Sequence, residues 1–598
     1  MIDLSKYNAD HLQSRFPEIF DMAARSSSEE DLRHRLSSFA HRMDLEAFDD
    51  YDSLSEGTII RVRDCARVLN RILTRRSEDK AGFSVASAVR DIALGRARPD
   101  LTPAFYAELL HLFLGLQGKG PGNGLADRLL SPSSSEGREA AVERSDQLDV
   151  LTAEVQRRMG RFSSGLEESA VRRRSQNRER LCKALGGSPE DWSDWQWQTA
   201  NIMRDADSIA SLVGLEDDEG EAIRRAHRQR LPFGITPHYL SLMDVEGDMG
   251  QDRAIRAQVI PPRSYVEAMA GYDRNASSCL DFMKESDTSP IDLITRRYPG
   301  ICIFKPFNTC PQICVYCQRN WEIEDAMAPG AMADDAQISA ALSWIAEHPA
   351  IHEVLITGGD PLAMSDRDLE RILAGVAAIP SVERIRIGTR TLVTMPMRIT
   401  DRVADLLASH RISGKRQVAL VTHIQHAYEL TSDTLLAVER LRKRGVPIFN
   451  QLVYTFHASR RFEACFLRKE LSRIGVEPYY VFNTKGKQET IEYRVPIARL
   501  LQEQKEEARL LPGLSRTDEA VYNVPGLGKN YLRAVQHRDL ISVLPDGARL
   551  FEFHPWEKNI SKLASTHIGE DVPILDYLQR LDAIGEDISD YDSIWYYF

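Results

Sequence analysis

The sequence predicts an α/β protein in which a partial (β/α)6 barrel follows a helical N-terminal extension. Between about residues 290 and 482, six short runs rich in β-branched residues alternate with longer amphipathic segments. Before about residue 180, apolar residues recur every three or four positions. The chain has 598 residues, enough for two or more domains. We expect a helical extension over 1–180, a helical lead-in over 181–290, the barrel over 291–545 and a tail over 546–598.

The helical extension is indicated by three amphipathic stretches: EEDLRHRLSSFAHRMDLEAF, TIIRVRDCARVLNRILTRR and FYAELLHLFLGLQ. The segments GKGPGNG and SPSSSEG are typical of loops. A basic stretch near 140–180 is interleaved with Glu and Asp, which favours a solvated helical face over an RNA-binding patch. The extension contains no motif that indicates a chemical role.

The barrel strands are predicted from runs that match buried parallel strands. The runs are ICIFKPF (301–307), EVLITGG (353–359), RIRIGTR (384–390), QVALVTHI (417–424), VPIFNQLVY (446–454) and VEPYYVF (476–482). Helical segments such as DRDLERILAGVAAI separate most of them. In such folds the reactive groups collect at the C-terminal ends of the strands.

Composition excludes several classes of protein. The net charge of −12 argues against a nucleic-acid-binding surface. No apolar run approaches the length of a membrane span, and the first residues lack a signal pattern, so we expect a cytoplasmic protein. Three of the eight cysteines fall within eight positions, which indicates a metal in a reducing compartment. We expect the scattered cysteines to be small buried residues: Cys65, Cys182, Cys279, Cys302 and Cys465.

The clustered cysteines, Cys310, Cys314 and Cys317, lie in FNTCPQICVYCQRN, directly after the first predicted strand. Three thiolates can hold a [4Fe–4S] cluster and leave one iron open to an outside ligand. The alternative is a zinc knuckle, but zinc would need a fourth ligand, and no nearby Cys or His completes such a set. The spacing therefore predicts a reactive iron–sulfur cluster.

The C-x3-C-x2-C spacing, with the aromatic Tyr316 before the last cysteine, resembles the signature of the radical S-adenosylmethionine (SAM) superfamily. The resemblance implies that SAM binds the open iron and that reduction releases a 5′-deoxyadenosyl radical. It also implies a reducing electron donor such as flavodoxin or ferredoxin. Gly358, Gly359 and Asp360, in TGGDPL, match the strand end that holds the SAM amino group.

From about Pro189 to Pro555 the chain is similar to the lysine 2,3-aminomutase family. The matching stretches are DWSDWQWQ, ITPHYLSLMD, RRYPG, GGDPL, IRIGTRT, GVPIFNQ, EPYYVF and PGLGK. The resemblance implies an isomerase that moves an α-amino group to the β-carbon. It also implies pyridoxal 5′-phosphate (PLP) on Lys529, and Gly526 and Gly528 beside it would let backbone N–H groups approach the phosphate.

Two arginines match substrate and cofactor contacts of that family. Arg297 matches an arginine that contacts the PLP phosphate, although a second family arginine is replaced here by Ile301 and the glycine turn is shorter. Arg319 matches the arginine that pairs with the substrate α-carboxylate, a task that suits the two-pronged guanidinium.

The substrate is predicted from departures from the lysine-acting pattern. Lys485 and Asn523 stand where two aspartates surround the distal ammonium of lysine. A cation and an amide suit a carboxylate instead, and this pair resembles that of glutamate 2,3-aminomutases. We therefore expect L-glutamate to be converted to β-glutamate, although Lys487 leaves the register of the first position open. Aspartate, glutamine, arginine and lysine remain alternatives.

Two other functions stay open at this stage. One is a radical SAM enzyme without PLP, such as an epimerase or a dehydrogenase, and the other is an interaction module on a degenerate barrel. The zinc segment of lysine-acting members is missing, and we expect the closing aromatics SIWYYF to pack on a core or on another subunit of a homo-oligomer. His423 and His426 are either site residues or hydrogen-bonded barrel histidines.

Overall fold

The computed structural model describes residues 2–49, 54–121, 124–130, 135–245, 251–272, 280–484, 488–554 and 566–598. Helices make up the part before the sheet, and several begin at Ser or Thr residues whose hydroxyls accept a hydrogen bond from the first turn, as at Ser55 and Thr74. These helices are α1 Ala9–Arg15, α2 Pro17–Ala24, α3 Glu29–Asp49, α4 Glu56–Ile72, α5 Arg75–Ala81, α6 Val85–Ala93, α7 Pro103–Leu116, α8 Gly124–Leu129, α9 Gly137–Met159, α10 Glu168–Ala184, α11 Pro189–Trp192, α12 Trp195–Ala200, α13 Ala206–Ala210, α14 Asp217–Arg228, α15 Pro237–Leu240, α16 Arg253–Arg256 and α17 Arg263–Ala270.

A nine-stranded sheet follows, with its described strands in the order β1 to β9. Strands β2 to β8 pair in parallel, whereas β1 and β9 pair antiparallel at the two edges and leave the barrel open. The elements are β1 Ile294–Tyr298, β2 Ile301–Phe307, α18 Asp335–Ala346, β3 Glu353–Gly358, α19 Asp366–Ala377, β4 Arg384–Thr389, α20 Thr391–Thr394, α21 Asp401–Ser409, β5 Gln417–Thr422, α22 Ser432–Lys443, β6 Ile448–Tyr454, α23 Glu463–Ile474, β7 Glu477–Asn483, α24 Ile497–Gln502, β8 Glu519–Val524 and β9 Gly528–Tyr531.

All six predicted strands are present, as β2 to β7, and helices cross between them on the outside of the sheet. The predicted α/β class, with a parallel sheet behind a helical N-terminal region, is confirmed. Three further strands extend the predicted set: β1 and β9 at the edges, and β8, which adds a seventh parallel strand. The basic stretch near 140–180 forms two helices, α9 and α10.

The tail forms a second sheet that packs on the N-terminal helices. Its elements are β10 Arg538–Val543, β11 Arg549–Phe553, β12 His567–Glu570 and α25 Ile574–Ala583. Strand β10 thus lies within the segment expected to belong to the barrel. Helix α7 contacts the tail at a buried ion pair, in which Glu108 accepts hydrogen bonds from Arg549 at 3.0 Å. The His111 ring stacks on Trp595 with 4.4 Å between centroids.

Buried side chains of the N-terminal helices, the barrel and the tail form one hydrophobic core. Trp595 belongs to this core, which confirms that the closing aromatics pack internally. The scattered cysteines Cys65, Cys182, Cys302 and Cys465 are buried as expected, whereas Cys279 lies outside the described residues. No described helix is both long and apolar enough to cross a membrane.

Candidate active site

The three clustered cysteines lie in the loop after β2 and line one cavity of about 1220 Å³ inside the barrel. A smaller adjoining cavity of about 50 Å³ is also lined by Cys310, Cys314 and Cys317. Burial raises the pKa of the Cys310 thiol, and negative charge on Asp360 and on the other two cysteines raises it further. The three thiols are therefore close enough to interact electrostatically, at the strand end where the sequence placed them.

The donor set fits an iron–sulfur cluster. Among the described residues, no three Cys, His, Asp or Glu side chains converge as ligands of a single metal ion would. Ligands of a cluster bind different iron atoms and need not converge on one point. Three thiols facing a common cavity can therefore supply three irons of a [4Fe–4S] cluster and leave the fourth exposed to that cavity.

The glycine pair after β3 packs directly against the start of the cysteine loop. Gly358 has a φ of 117°, a conformation that favours glycine. A Cβ atom on Gly359 would lie 2.1 Å from the carbonyl oxygen of Thr309, the residue before the first cysteine. The backbone N–H of Gly359 donates to Phe307 at 2.8 Å, and that of Asp360 donates to Thr309 at 2.9 Å. Glycine is thus required here for contact between two backbones.

Asp360, the acid of the same turn, connects the end of β3 to the end of β4. Its buried carboxylate accepts hydrogen bonds from the hydroxyls of Thr389 at 2.7 Å and Thr391 at 2.9 Å. It also accepts from the backbone N–H groups of Arg390 at 2.8 Å and Leu362 at 3.1 Å. Burial raises the pKa of this carboxyl, and these four donors oppose that effect. Asp360 therefore fixes the backbone that carries Arg390.

Arg390 is a buried cation beside the cluster loop that was not singled out from the sequence. Its Nη1 lies 2.8 Å from the Sγ of Cys314. Its Nη2 donates to the Glu429 carboxylate at 2.6 Å, to the Tyr239 hydroxyl at 3.1 Å and to the Gln258 amide oxygen. Burial lowers the pKa of Arg390, but Cys314, Tyr239 and Glu429 raise it above its usual range. A permanent positive charge thus faces a predicted cluster ligand.

His423 and His426, whose roles the sequence left open, differ in their position relative to the cavity. His423 lines the cavity, and its Nδ1 lies 2.7 Å from the carbonyl of Gln451 and its Nε2 2.8 Å from the hydroxyl of Tyr316. Burial and then Arg390 lower the pKa of His423 to about 4, so the ring is neutral near pH 7. His426 instead contacts Glu463 at 3.1 Å and does not line the cavity.

Lys529 lies on β9, at the open edge of the barrel. It is directly opposite Asn523 on β8, and both side chains line the cavity that holds the cysteines. Its Nζ lies 3.0 Å from the hydroxyl of Tyr298 on β1. The ammonium also lies over the Tyr298 and Tyr480 rings, at 4.6 and 5.1 Å from their centroids. The predicted cofactor lysine and one predicted substrate residue are thus neighbours.

The turn between β8 and β9 contains the other predicted phosphate contacts. Gly526 and Gly528 have φ values of 66° and 92°, so both adopt a conformation that suits glycine. The N–H of Gly526 donates to the carbonyl of Phe282 at 3.1 Å, and neither glycine is among the residues that line the cavity. These glycines shape the hairpin that presents Lys529.

Arg297 lies on β1, next to the tyrosine that contacts Lys529, and lines the cavity. Its Nη2 donates to the carbonyl of Met283 at 3.1 Å, and its Nε donates to the hydroxyl of Thr288 at 3.3 Å. Burial lowers the pKa of Arg297. Among the described residues no carboxylate forms an ion pair with this half-buried guanidinium, which suits it to an anionic group in the cavity.

Arg319 lines the cavity and is only 6% exposed. Its guanidinium forms a buried ion pair with Glu285, in which Nε donates to the carboxylate at 3.2 Å. The same carboxylate accepts from Thr295 at 2.8 Å and contacts Lys305 at 3.3 Å. Burial alone would raise the pKa of Glu285, but Arg319 and Lys305 lower it to about 2. Glu285 therefore stays ionised beside Arg319.

The cavity thus brings together most of the side chains predicted as site residues. Those that line it are Arg297, Cys310, Cys314, Cys317, Arg319, Gly358, Gly359, Asp360, Asn523 and Lys529. Lys485 and Lys487, the first predicted substrate position and its neighbour, lie outside the described residues. The structure adds Arg390, Tyr298 and Glu285 to the surroundings of the site.

Comparison with known proteins agrees with this geometry. The radical SAM superfamily model matches residues 304–458, which run from within β2 to just past the end of β6. An uncharacterized KamA family protein of Methanocaldococcus jannaschii is 41% identical over 98% of this chain and 97% of its own length. This chain belongs to the KamA family. Radical SAM enzymes use a [4Fe–4S] cluster with SAM, and KamA-family aminomutases also use PLP.

Other KamA relatives match about half of the chain. The glutamate 2,3-aminomutase of Clostridioides difficile is 35% identical over 54% of this chain and 72% of its own length. The L-lysine 2,3-aminomutase of Bacillus subtilis is 33% identical over 52% of this chain and 63% of its own length. SuiB of Streptococcus suis, solved with S-adenosylmethionine, is 15% identical with a TM-score of 0.27, covering 45% of this chain and 61% of its own, too low to support an argument.

Proposed function

We propose that this KamA-family radical SAM enzyme is a PLP-dependent 2,3-aminomutase that converts L-glutamate to β-glutamate. One observation carries the proposal: Lys529 and Asn523 face each other across a hairpin and line the same cavity as the three cysteines and Arg319. In this proposal Lys529 would carry the cofactor, the three cysteines would hold the radical source and Arg319 would bind the substrate carboxylate, all around one space. An aminomutase needs these three elements near one bound amino acid.

The charge of the cavity favours an acidic substrate. Cations line it beside the cysteines and around the hairpin: Arg297, Arg319, Arg390 and Lys529. The described acids that line it are Asp360, whose oxygens accept four hydrogen bonds, and Glu353 and Glu383, at the N-terminal ends of strands. Arg319 and Arg390 are already paired with Glu285 and Glu429, so Arg297 and Lys529 dominate the charge around Asn523 among the described residues. A distal ammonium would meet like charge there, whereas a distal carboxylate can accept from the Asn523 amide.

Sequence identity does not select the substrate. The glutamate 2,3-aminomutase and the L-lysine 2,3-aminomutase are almost equally similar to this chain, at 35% and 33% identity. Asn523 and the cavity charge carry that choice. PLP bound at Lys529 would stabilise an unpaired electron next to the migrating nitrogen. The protein's own side chains would orient the amino acid and exclude water, and a cytoplasmic flavodoxin or ferredoxin would supply the electron.

Covalent trapping tests the cofactor lysine. Protein incubated with PLP is treated with borohydride, which reduces a C=N bond between the cofactor and a lysine, and the modified peptide is identified by mass spectrometry. We expect the label on Lys529, its loss in Lys529→Ala and its retention in Lys443→Ala, a change at an exposed lysine of α22. A label distributed over surface lysines would contradict PLP binding at this site.

Product analysis tests the reaction and the substrate. Reconstituted enzyme is incubated anaerobically with SAM, PLP, reductant and single amino acids, and β-amino products are separated by chromatography. We expect β-glutamate from L-glutamate. Formation of β-lysine without β-glutamate would contradict the argument from Asn523 and the cavity charge.

A further inference from the structure

We propose that Glu285 is a positioning residue that orients Arg319 for the α-carboxylate of the substrate. The inference rests on the proposed function, because it takes an α-amino acid as the bound molecule. Glu285 precedes β1 and does not line the cavity, whereas Arg319 does. Glu285 would therefore act through Arg319 and not by touching the substrate.

The ion pair with Glu285 occupies one edge of the Arg319 guanidinium and leaves its other edge available to a ligand. An arginine side chain presents two pairs of roughly parallel N–H groups, Nε with Nη2 and Nη1 with Nη2. Glu285 takes the first pair, because its Oε2 accepts from Nε at 3.2 Å and its Oε1 accepts from Nη2. Among the described residues, no acceptor is bound to Nη1 of Arg319. The Nη1–Nη2 pair can therefore receive a second carboxylate, in the cavity.

Glu285 is itself held firmly. Its carboxylate accepts from the Thr295 hydroxyl at 2.8 Å and contacts the Lys305 ammonium at 3.3 Å. Its backbone N–H donates to the Asp281 carboxylate at 2.7 Å. Both Glu285 and Arg319 are buried, at 9% and 6% exposure. A guanidinium fixed by a fixed partner loses little further freedom on binding, which favours affinity and a single binding geometry.

The remaining donor pair on Arg319 suits a carboxylate in particular. Lys305 and Arg319 both contact Glu285, and the Glu322 carboxyl and the Arg297 guanidinium also interact with this group. A substrate α-carboxylate would offer two anionic oxygens to the Nη1–Nη2 pair of Arg319, whereas an α-carboxamide is uncharged and could offer only one oxygen to two donors. The arrangement therefore predicts discrimination between an α-carboxylate and an α-carboxamide.

Equilibrium binding separates orientation from catalysis. Enzyme reconstituted with cluster, SAM and PLP is kept without reductant, so that no turnover occurs, and is titrated calorimetrically with L-glutamate and with its α-amide. In Glu285→Gln the amide nitrogen would face arginine donors, so the two-bond contact is lost. We expect glutamate affinity to fall about tenfold or more, the scale of one charge-assisted hydrogen bond, with little change for the α-amide. Glu285→Asp, which keeps the charge, should recover part of the loss.

Two comparisons exclude a general structural effect. Glu324→Gln, at an exposed acid in the loop that follows Arg319, should bind both ligands as wild type does. In an Arg319→Lys background, Glu285→Gln should cause no further loss of the preference for glutamate over its α-amide. The reason is that Glu285 acts through the Arg319 guanidinium, which this background lacks. Iron content and thermal unfolding show whether each variant is folded. If Glu285→Gln does not fold, the binding of glutamate by Glu285→Asp tests the inference instead.

The outcomes distinguish this inference from the proposed function. If wild type binds glutamate and Glu285→Gln binds it equally well or more tightly, the inference is wrong and Glu285 only offsets the charge of Arg319. If wild type prefers another α-amino acid, the substrate assignment is wrong and the same comparison is made with that acid and its α-amide. If wild type binds no α-amino acid, both the proposed function and the inference are overturned.

Discussion

A single methyl group at Gly359 tests whether the glycine turn holds the cluster loop. The Cβ of an alanine would lie 2.1 Å from the Thr309 oxygen and 2.4 Å from its nitrogen, where real contacts begin near 3.0 Å. Both contacts are with backbone, so no side-chain rotation can relieve them. The turn and the loop must separate by about 0.9 Å, the difference between 2.1 and 3.0 Å. Thr309 is followed directly by Cys310, so the displacement reaches a predicted cluster ligand.

The expected cost follows from that displacement. Overpacking of this kind destabilises a protein by about 1–3 kcal/mol, and a shift near 1 Å in a positioned reactive group lowers rates by about a hundredfold. We expect Gly359→Ala to lose iron and sulfide on anaerobic reconstitution, or to retain them and release 5′-deoxyadenosine at about one hundredth of the wild-type rate.

Gly300→Ala is the matched control, because nothing lies within 4 Å of its added Cβ atom. It should keep wild-type iron content, cleavage rate and melting temperature. If Gly359→Ala also retained full iron content and full SAM cleavage, the reasoning from backbone contact would be refuted.

Three further predictions concern the substrate, the tail and the dependence on pH. Asn523→Asp adds a carboxylate beside Lys529, so the ratio of lysine to glutamate turnover should rise, and an unchanged ratio in the product assay would count against Asn523 as a substrate contact. Arg549→Met leaves the Glu108 carboxylate buried and unpaired and should lower the free energy of unfolding by about 3–5 kcal/mol, whereas Arg549→Met with Glu108→Gln should lose less in urea titrations. Burial lowers the pKa of His111 to about 3, below the ordinary 6.5, so the unfolded chain binds a proton first and stability falls as pH drops below 6.5. His111→Phe, which keeps an aromatic ring on Trp595, should reduce the stability loss between pH 7 and pH 5 by up to about 2 kcal/mol, and an unchanged loss would refute this assignment.

The parallel strands were predictable because each has a local signature. Buried parallel strands form near-continuous apolar runs, and β2, β3, β5 and β7 each contain one, such as PYYVF in β7. Strand β8, with the sequence EAVYNV, contains a glutamate and an asparagine and lacks such a run. Its strand conformation is supported by pairing with β7 on one side and β9 on the other. The β9 partner follows after a short turn, but the β7 partner lies well before β8 in the sequence, so local composition does not reveal that pairing.

The site was predictable to the extent that its residues lie in recognisable stretches. The three cysteines and the glycine pair appear as motifs, and the structure packs Gly359 against Thr309, the residue before Cys310. Arg390 also lies in a stretch that matches the family, IRIGTRT, but its role depends on partners from three distant segments: Tyr239, Gln258 and Glu429. No local pattern shows that they converge, and the same holds for Glu285 with Arg319, 34 positions apart.

The contact between the N-terminal helices and the tail has a consequence for the order in which the chain can fold. Helix α7 pairs Glu108 with Arg549, 441 positions later, and the backbone of Ile2 donates to Asp582, 580 positions later. During synthesis the first helices leave the ribosome long before these partners exist. The helices can pack on one another, but the parts of their apolar faces that contact the tail stay uncovered by the chain until almost 600 residues have been made. Because closure of so long a loop has to precede these contacts, we expect this part of the core to form last.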